Sequence, residues 1–180
     1  MKRIFIFLMA TGLAVTSLQA QKVYSTKNGK ISFFSKSPLE DKEASTSEVE
    51  SKFASSTGQL VFTLLIKGFQ FENQLMEDHF NENYLESNKF PKSNFKGYVT
   101  NIKDINFAKD GTYPAKVKGS LNIHGVAKEI ESDGTIDIKG GKVTAKTKFP
   151  IKLKDHKIGG AMVGKKIAET IMVNVNCQYD

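Results

Sequence analysis

Residues 115–149 read AKVKGSLNIHGVAKEIESDGTIDIKGGKVTAKTKF. Apolar and polar side chains alternate along this stretch, with Val117, Leu121 and Ile123 on one parity and lysines on the other. Alternation with a period of two is typical of a β-strand that has one buried and one solvated face. Gly140-Gly141 has the form of a two-residue hairpin loop, because glycine accepts the positive φ angles that such loops need. The stretch therefore predicts consecutive antiparallel strands.

The same alternation recurs along most of the chain, between residues that favour turns. We predict strands at residues 22–26, 31–36, 43–53, 59–68, 93–107, 113–124, 126–138, 142–153 and 167–179. Asn28-Gly29 and Asp110-Gly111 also have the form of two-residue hairpin loops, and Thr57-Gly58 marks another turn. Asp133-Gly134 leaves the parity of its segment unchanged, so we predict one long strand there with a bulge or kink. Long antiparallel strands joined by short hairpins favour an all-β, eight-stranded barrel over a sandwich.

One segment, residues 73–87, changes to a helical period of about 3.6. Its apolar face comprises Leu75, Met76, His79, Phe80 and Tyr84. Asn73 is a suitable N-cap, and Pro91 ends any continuation of the helix. An α-helix with one apolar face, inserted into an antiparallel barrel, most simply covers one open end.

The N-terminus has the layout of a secretory signal peptide. A basic start at residues 1–3 precedes an apolar run at 4–15, and small and polar residues lead to Ala20. We therefore divide the chain into a signal peptide at 1–20 and an exported, periplasmic domain at 21–180 without a transmembrane segment. An uncleaved N-terminal anchor is the alternative.

Composition and charge exclude several classes of protein. The chain has 180 residues and one cysteine, Cys177, which excludes a disulfide scaffold and a cysteine-rich zinc site. Removal of residues 1–20 lowers the net charge from +7 to +5, and every remaining basic residue is lysine. Arginine is the usual residue for bidentate phosphate and base contacts, so we expect no nucleic-acid partner. An unpaired cysteine in an exported protein is best buried in a strand.

The sequence contains no recognisable catalytic motif. It lacks a nucleophile elbow, a phosphate-binding loop and a dinucleotide-binding fingerprint. His79, His124 and His156 are scattered without the spacing of a metal site. We expect His79 and His124 to occupy polar niches or to contact a ligand head group, and His156 to be solvated in a loop. We predict no enzymatic activity, no metal and no cofactor; an enzyme acting on a lipid would have only His79, His124 and scattered acids.

The order and spacing of several motifs resemble the YceI-like family of bacterial exported proteins. These motifs are FSKSPLED at 34–41, LIKGFQFE at 65–72, LMEDHFNENYLES at 75–87, FPK at 90–92, FKG at 95–97 and GSLNIHGV at 119–126. The resemblance covers nearly all of residues 21–180. The chain departs from the family pattern at DHKIGGAM (155–162), where His156 replaces an aromatic residue and no proline follows.

The resemblance implies a lipocalin-like barrel with a long apolar cavity for a polyisoprenoid, such as a quinone or a prenyl phosphate. We therefore expect non-enzymatic binding, storage or transport of a long-chain apolar lipid, by a monomer or homodimer. The expected cavity lining is Phe62, Leu64, Ile66, Phe69, Leu75, Met76, His79, Phe80, Tyr84, Leu121, Ile123, Phe149 and Val173. Gly119, on the inward parity, either leaves room for ligand or relieves a bend.

One alternative function stays open from the residues themselves. The inward-facing side chains could pack together and fill the barrel, as small eight-stranded barrels can be filled by their own side chains. The chain would then be an envelope interaction or stress module with a working outer surface and no lipid ligand.

Overall fold

The computed structural model describes residues 22–36 and 41–180. Within them, eight antiparallel strands close into a barrel in which each strand pairs with its neighbours in the chain and the last pairs with the first. The strands are β1 (Val23–Ser35), β2 (Lys42–Ala54), β3 (Gln59–Leu65), β4 (Lys92–Val99), β5 (Gly111–Ile123), β6 (Val126–Lys139), β7 (Lys142–Lys152) and β8 (Thr170–Tyr179). The predicted all-β, eight-stranded barrel is confirmed. The expected signal peptide lies outside the described residues, as does 37–40 of the FSKSPLED motif.

The hairpin predicted at Asn28-Gly29 is wrong. Both residues lie inside β1, where the register with β2 shifts between Thr26 and Ile31, so the two predicted strands at 22–26 and 31–36 are one bulged strand. Glycine is needed there for close packing, because a Cβ on Gly29 would lie 2.5 Å from the sulfur of Cys177. A turn-forming dipeptide in sequence thus marks a tight contact inside the barrel.

The strand predicted at 93–107 and the hairpin at Asp110-Gly111 are also wrong. β4 ends at Val99, and residues 100–110 form a loop with a 3₁₀ turn at Ile102–Asp104. In this loop Ile105 is buried and Phe107 packs against the core, so its apolar residues cover the barrel end and do not extend the strand. The carboxylate of Asp110 accepts a hydrogen bond from the backbone N–H of Gly140 at 3.0 Å.

Other turns follow the sequence more closely. Gly140-Gly141 joins β6 and β7 with φ angles of +56° and +78°, and Gly58 precedes β3 with a φ of +75°. β6 runs unbroken through Asp133-Gly134, as predicted. The sequence prediction missed the two-residue hairpin His124-Gly125 between β5 and β6, which places a non-glycine residue at a φ of +53°.

The predicted helix is present but shorter than residues 73–87. Helix α1 spans Gln74–His79 and continues into one π-helical turn at Phe80–Tyr84. Asn73 caps α1 as predicted, since its Oδ1 accepts hydrogen bonds from the N–H of Leu75 at 2.9 Å and of Met76 at 3.4 Å. We call residues 73–90 the cap segment.

One end of the barrel, which we call the closed end, is filled by aromatic rings. Tyr24, Phe53, Phe107 and Tyr179 stack with centroids 5.8–6.3 Å apart. The hydroxyls of Ser51 and Tyr179 are hydrogen-bonded at 2.9 Å, which satisfies the polar ends of two buried side chains. Together with the buried Ile105, these side chains pack across this end of the barrel.

Cys177 is fully buried within β8, as predicted for an unpaired cysteine of an exported protein. Its burial disfavours the thiolate and raises the pKa of the thiol to about 12. A thiol with such a pKa is not a nucleophile at neutral pH.

Gly119 faces Gly97 across the β4–β5 pair, and both residues approach closely because neither has a side chain. A Cβ on Gly119 would lie 2.5 Å from the Cα of Gly97 and 2.8 Å from Cζ of Phe95. The ring of Phe95 covers the two glycines, so the space at Gly119 belongs to that ring and not to a ligand.

The hydrogen-bond ladder between β6 and β7 covers only part of the two strands. The two strands pair over residues 134–139 and 142–147. Beyond this ladder, 126–133 and 148–152 form what we call the seam. It is linked by a 2.6 Å hydrogen bond between the hydroxyls of Ser132 and Thr147, and by the His156 ring, whose Nδ1 lies 3.1 Å from the carbonyl oxygen of Val126.

Candidate functional site

The barrel encloses a cavity of about 570 Å³, within the usual size range of small-molecule sites. It extends from Phe53 and Leu60 above the closed end to Leu75 and Met162 at the opposite end, which we call the mouth. All eight strands contribute to its wall, and the cap segment and the loop at 153–167 surround its mouth. The barrel interior is therefore not filled by its own side chains.

The structure places every predicted lining residue on the wall of this cavity. Its lining includes Phe62 and Leu64 on β3, Ile66 and Phe69 after it, Leu75, Met76 and His79 on α1, Phe80 and Tyr84 in the π turn, Leu121 and Ile123 on β5, Phe149 on β7 and Val173 on β8. That these side chains contact a ligand stays a prediction.

Four phenylalanines form a cluster beside the mouth, which we call the mouth cluster. The rings of Phe33, Phe69, Phe71 and Phe80 lie 5.0–5.9 Å apart. The sequence prediction missed Phe33 and Phe71. The parity of Ile31, Phe33 and Ser35 along β1 could have identified Phe33, whereas Phe71 lies between β3 and α1, where no period applies.

The polar side chains at the cavity are cationic or neutral. Among the described residues that line it are Lys42, Lys146, Lys166 and His79, and there is no aspartate or glutamate. The Lys146 ammonium is already paired with Asp137, whose Oδ2 lies 2.7 Å away. Lys42 is buried, although lysine is rarely buried. An apolar cavity whose charged lining is only basic favours ligands with an anionic or electron-rich end.

Two of these lysines belong to neighbouring parts of the mouth. Lys42 pairs with Ser35 across the β1–β2 ladder. The hydroxyl oxygen of Ser35 in turn accepts a hydrogen bond of 2.9 Å from the backbone N–H of Ala168, two residues after Lys166. The start of β2 and the loop before β8 thus meet at one side of the mouth.

His124 joins three segments that surround the mouth. Its Nε2 lies 2.7 Å from Oε2 of Glu86 in the cap segment, and its Nδ1 lies 3.2 Å from the carbonyl oxygen of His156. Each ring nitrogen therefore faces one acceptor oxygen. The ring also meets Phe90 edge-on at 4.5 Å. We call this arrangement the histidine clasp.

Backbone strain is concentrated at the same place. Glu86, His124 and Lys157 have φ angles of +42°, +53° and +56°, and they are the non-glycine residues with positive φ in the described part of the chain. Such conformations persist where the surrounding structure imposes them. Here the clasp joins the first two directly, and the third follows His156.

The three histidines occupy different environments, and that of His124 is one of the polar niches expected for it. His79 lines the cavity and is exposed, consistent with a position near a ligand head group. His124 is not part of the lining and acts between protein segments. The expectation of a solvated His156 is wrong: the residue is 3% exposed because its ring contacts the end of β6.

The described residues contain neither a metal-binding cluster nor a membrane-spanning helix. Residues 22–36 and 41–180 hold no group of three or more histidine, cysteine, aspartate or glutamate side chains arranged to bind a metal ion. No helix in this part of the chain has the length and hydrophobicity needed to cross a lipid bilayer.

Comparison with solved structures finds the same fold in other bacterial proteins. A polyisoprenoid binding domain from Saccharophagus degradans superposes with a TM-score of 0.77 at 11% identity, covering 89% of this chain and 98% of that one. BcnA from Burkholderia cenocepacia gives 0.68 at 17%, covering 84% and 96%. The YceI protein of Campylobacter jejuni gives 0.58 at 19%, covering 100% and 99%.

Sequence comparison identifies the family more directly. A search of curated proteins finds no significant match. The profile of the YceI-like domain, however, matches residues 14–179, which is nearly the whole chain. With the closed barrel and the order of its motifs, this match means that the chain belongs to the YceI-like family.

Proposed function

We propose that this protein binds a long isoprenoid lipid in its barrel cavity and stores or carries it in the periplasm without converting it chemically. The observation that carries the proposal is the 570 Å³ cavity, which has an apolar wall and runs from the closed end to the mouth. Burial of apolar ligand surface contributes roughly 25 cal/mol per Å². The similarity to a polyisoprenoid binding domain supports the same ligand class.

Between the two head groups considered, the charged lining favours a prenyl phosphate over a quinone. Lys42 and Lys166 lie on the side of the mouth where β1, β2 and the loop before β8 meet, and no carboxylate of the described residues lines the cavity. A phosphate gains charge-assisted hydrogen bonds from such lysines, whereas a quinone oxygen is a neutral acceptor.

A filled interaction module is less well supported, because it requires the cavity to be absent. An enzyme acting on the lipid is also less well supported, because of the two candidate histidines only His79 lines the cavity. Periplasmic location rests on the expected signal peptide at 1–20.

The test is native mass spectrometry of the mature chain, as purified and after incubation with a quinone or with a prenyl phosphate. We expect a mass increase equal to one lipid. Ala145→Phe, which fills the cavity, should abolish it, whereas the matched Ala127→Phe on the outer face of β6 should not. A chain that stays empty with both lipids would overturn the proposal.

The head-group preference has its own test. Lys42→Gln and Lys166→Gln should weaken retention of the prenyl phosphate more than that of the quinone, and Lys116→Gln on the outside of β5 should change neither. Equal effects on both lipids would contradict an anionic head group.

A further inference from the structure

The mouth presents two exposed apolar side chains. Among the described residues, Leu75 is 62% exposed and Met162 is 44% exposed, and both line the cavity. The other large exposed hydrophobic side chains, such as Val61 and Tyr98, lie outside its lining. An apolar side chain that touches both the cavity and the solvent is the last protein contact of a departing apolar ligand.

These two side chains come from opposite sides of one rim. Leu75 belongs to α1, and Met162 belongs to the loop between β7 and β8. The cap segment and this loop approach each other at Gly160, where a Cβ would lie 3.0 Å from Cε1 of Tyr84. Leu75 and Met162 therefore flank a single opening.

The loop side of this rim is strongly basic. Residues 152–169 carry two acidic side chains, Asp155 and Glu169, and five exposed lysines. These lysines are Lys152, Lys154, Lys157, Lys165 and Lys166. We call Leu75, Met162 and these five lysines the rim patch.

Three of the four acidic side chains of the cap segment lie away from the cavity, and the fourth, Glu86, contacts His124 in the histidine clasp. Glu77, Asp78 and Glu82 line a separate surface depression together with Lys67. This depression shares no residue with the cavity. Glu77 also accepts a hydrogen bond from the N–H of Phe71 at 3.3 Å. The negative charge of α1 thus lies on the face turned away from the mouth.

We propose that the rim patch docks on the surface of an anionic lipid bilayer, with Leu75 and Met162 entering the interface and the lysines meeting the lipid head groups. Lysines near an anionic leaflet are attracted to it, and exposed apolar side chains add burial. Docking in this way lets a lipid pass between bilayer and cavity without crossing water. This step rests on the proposed lipid-binding function, although docking itself can be measured without it.

The experiment is flotation of the mature chain with vesicles of phosphatidylglycerol and phosphatidylcholine, or of phosphatidylcholine alone. We expect at least about tenfold stronger binding to the anionic vesicles, falling as salt screens the lysines. Met162→Asp, and Lys154→Glu with Lys165→Glu, should each reduce binding by about tenfold or more. The matched controls are Val61→Asp on the barrel wall and Lys139→Glu with Lys142→Glu at the closed end.

Each outcome decides the proposal. Equal binding to both vesicle types, no binding at all, or equal losses in rim and control variants would overturn docking. Native mass spectrometry on the same samples separates the two proposals. A chain that retains lipid but ignores anionic vesicles contradicts docking alone, whereas one that binds them but never carries lipid contradicts the cavity function.

Discussion

The two ends of the barrel use the same kind of side chain in different ways. At the closed end Tyr24, Phe53 and Tyr179 are at most 3% exposed, and the hydroxyl of Tyr179 is hydrogen-bonded to that of Ser51. At the mouth Phe33 and Phe80 are only partly buried, although their rings lie at similar separations. Of the aromatic rings at the closed end only Phe53 borders the cavity, whereas all four rings of the mouth cluster line it. The closed end of the barrel therefore contributes mainly to stability, and the mouth contributes mainly to binding capacity.

The largest expected effect tests the closed end. Tyr179→Ala should lower the free energy of unfolding by about 3–5 kcal/mol, because it leaves a cavity in a packed cluster. Urea denaturation of the lipid-free protein measures this loss, and Tyr179→Phe, which removes only the hydroxyl, should cost about 1 kcal/mol. Similar losses in the two variants would mean that the hydrogen bond, and not the ring, closes this end.

At the mouth, truncation of a ring should affect lipid binding more than folding. Phe80→Ala should cost about 1–2 kcal/mol of unfolding free energy, since the ring is half-buried, yet reduce retained lipid several-fold. Phe80→Leu, which keeps apolar bulk, serves as the matched control and should retain most of the lipid. If Phe80→Ala proves as destabilising as Tyr179→Ala, the contrast between the two ends disappears.

A smaller effect is expected at the histidine clasp. His124→Ala and Glu86→Gln should each cost about 1 kcal/mol, because one partner is largely buried and the other is half-exposed. Amide hydrogen exchange should become faster in residues 80–90 and 153–158, while the closed end stays protected. Lys89→Gln removes the exposed 3.9 Å pair with Glu86 and the cation–π contact of Lys89 with Phe90 at 5.0 Å, and should have little effect because both are exposed. Unchanged exchange in the clasp variants would show that the mouth segments hold together without it.

The last effect appears only at alkaline pH. The pKa of Cys177 is raised by burial from 9.0 to about 12, so the folded state holds this proton more tightly than the unfolded state. Its contribution to stability is full below about pH 9 and is lost as the pH rises toward 12. Burial raises the pKa of Tyr179 in the same direction. Cys177→Ser should therefore make stability fall less steeply over this range, measured by urea denaturation, and identical slopes would contradict the assignment.

Much of the fold could be predicted from the alternation of apolar and polar residues along the chain. A period of two predicted the strands that form the wall, and it therefore also predicted which side chains face the interior, including Phe62, Leu121 and Val173. The helical period at 73–87 predicted the apolar side of the cap segment in the same way. These features depend only on which face of an element is buried, and that is encoded locally.

The errors arose where distant contacts override local preference. Asn28-Gly29 has the composition of a turn, but Gly29 is required by the sulfur of Cys177, far along the chain. Ile105 and Phe107 continue an apolar pattern, but they cover the closed end because β4 has already stopped pairing. His156 is buried beside the start of β6, where its ring contacts the carbonyl oxygen of Val126. No local sequence pattern predicts this contact. Each case depends on a contact between segments that are remote in sequence.

The seam between β6 and β7 matters for the circumference of the barrel. In a barrel whose neighbouring strands are hydrogen-bonded along their full length, the lengths of these hydrogen bonds set the circumference. The circumference cannot increase unless a whole row of inter-strand hydrogen bonds breaks. In the half nearer the mouth, the β6–β7 ladder stops at Gly134 and Thr147, and individual contacts at Ser132 and His156 hold the wall together. Widening this half of the barrel would therefore break only these few contacts and no row of ladder hydrogen bonds between β6 and β7.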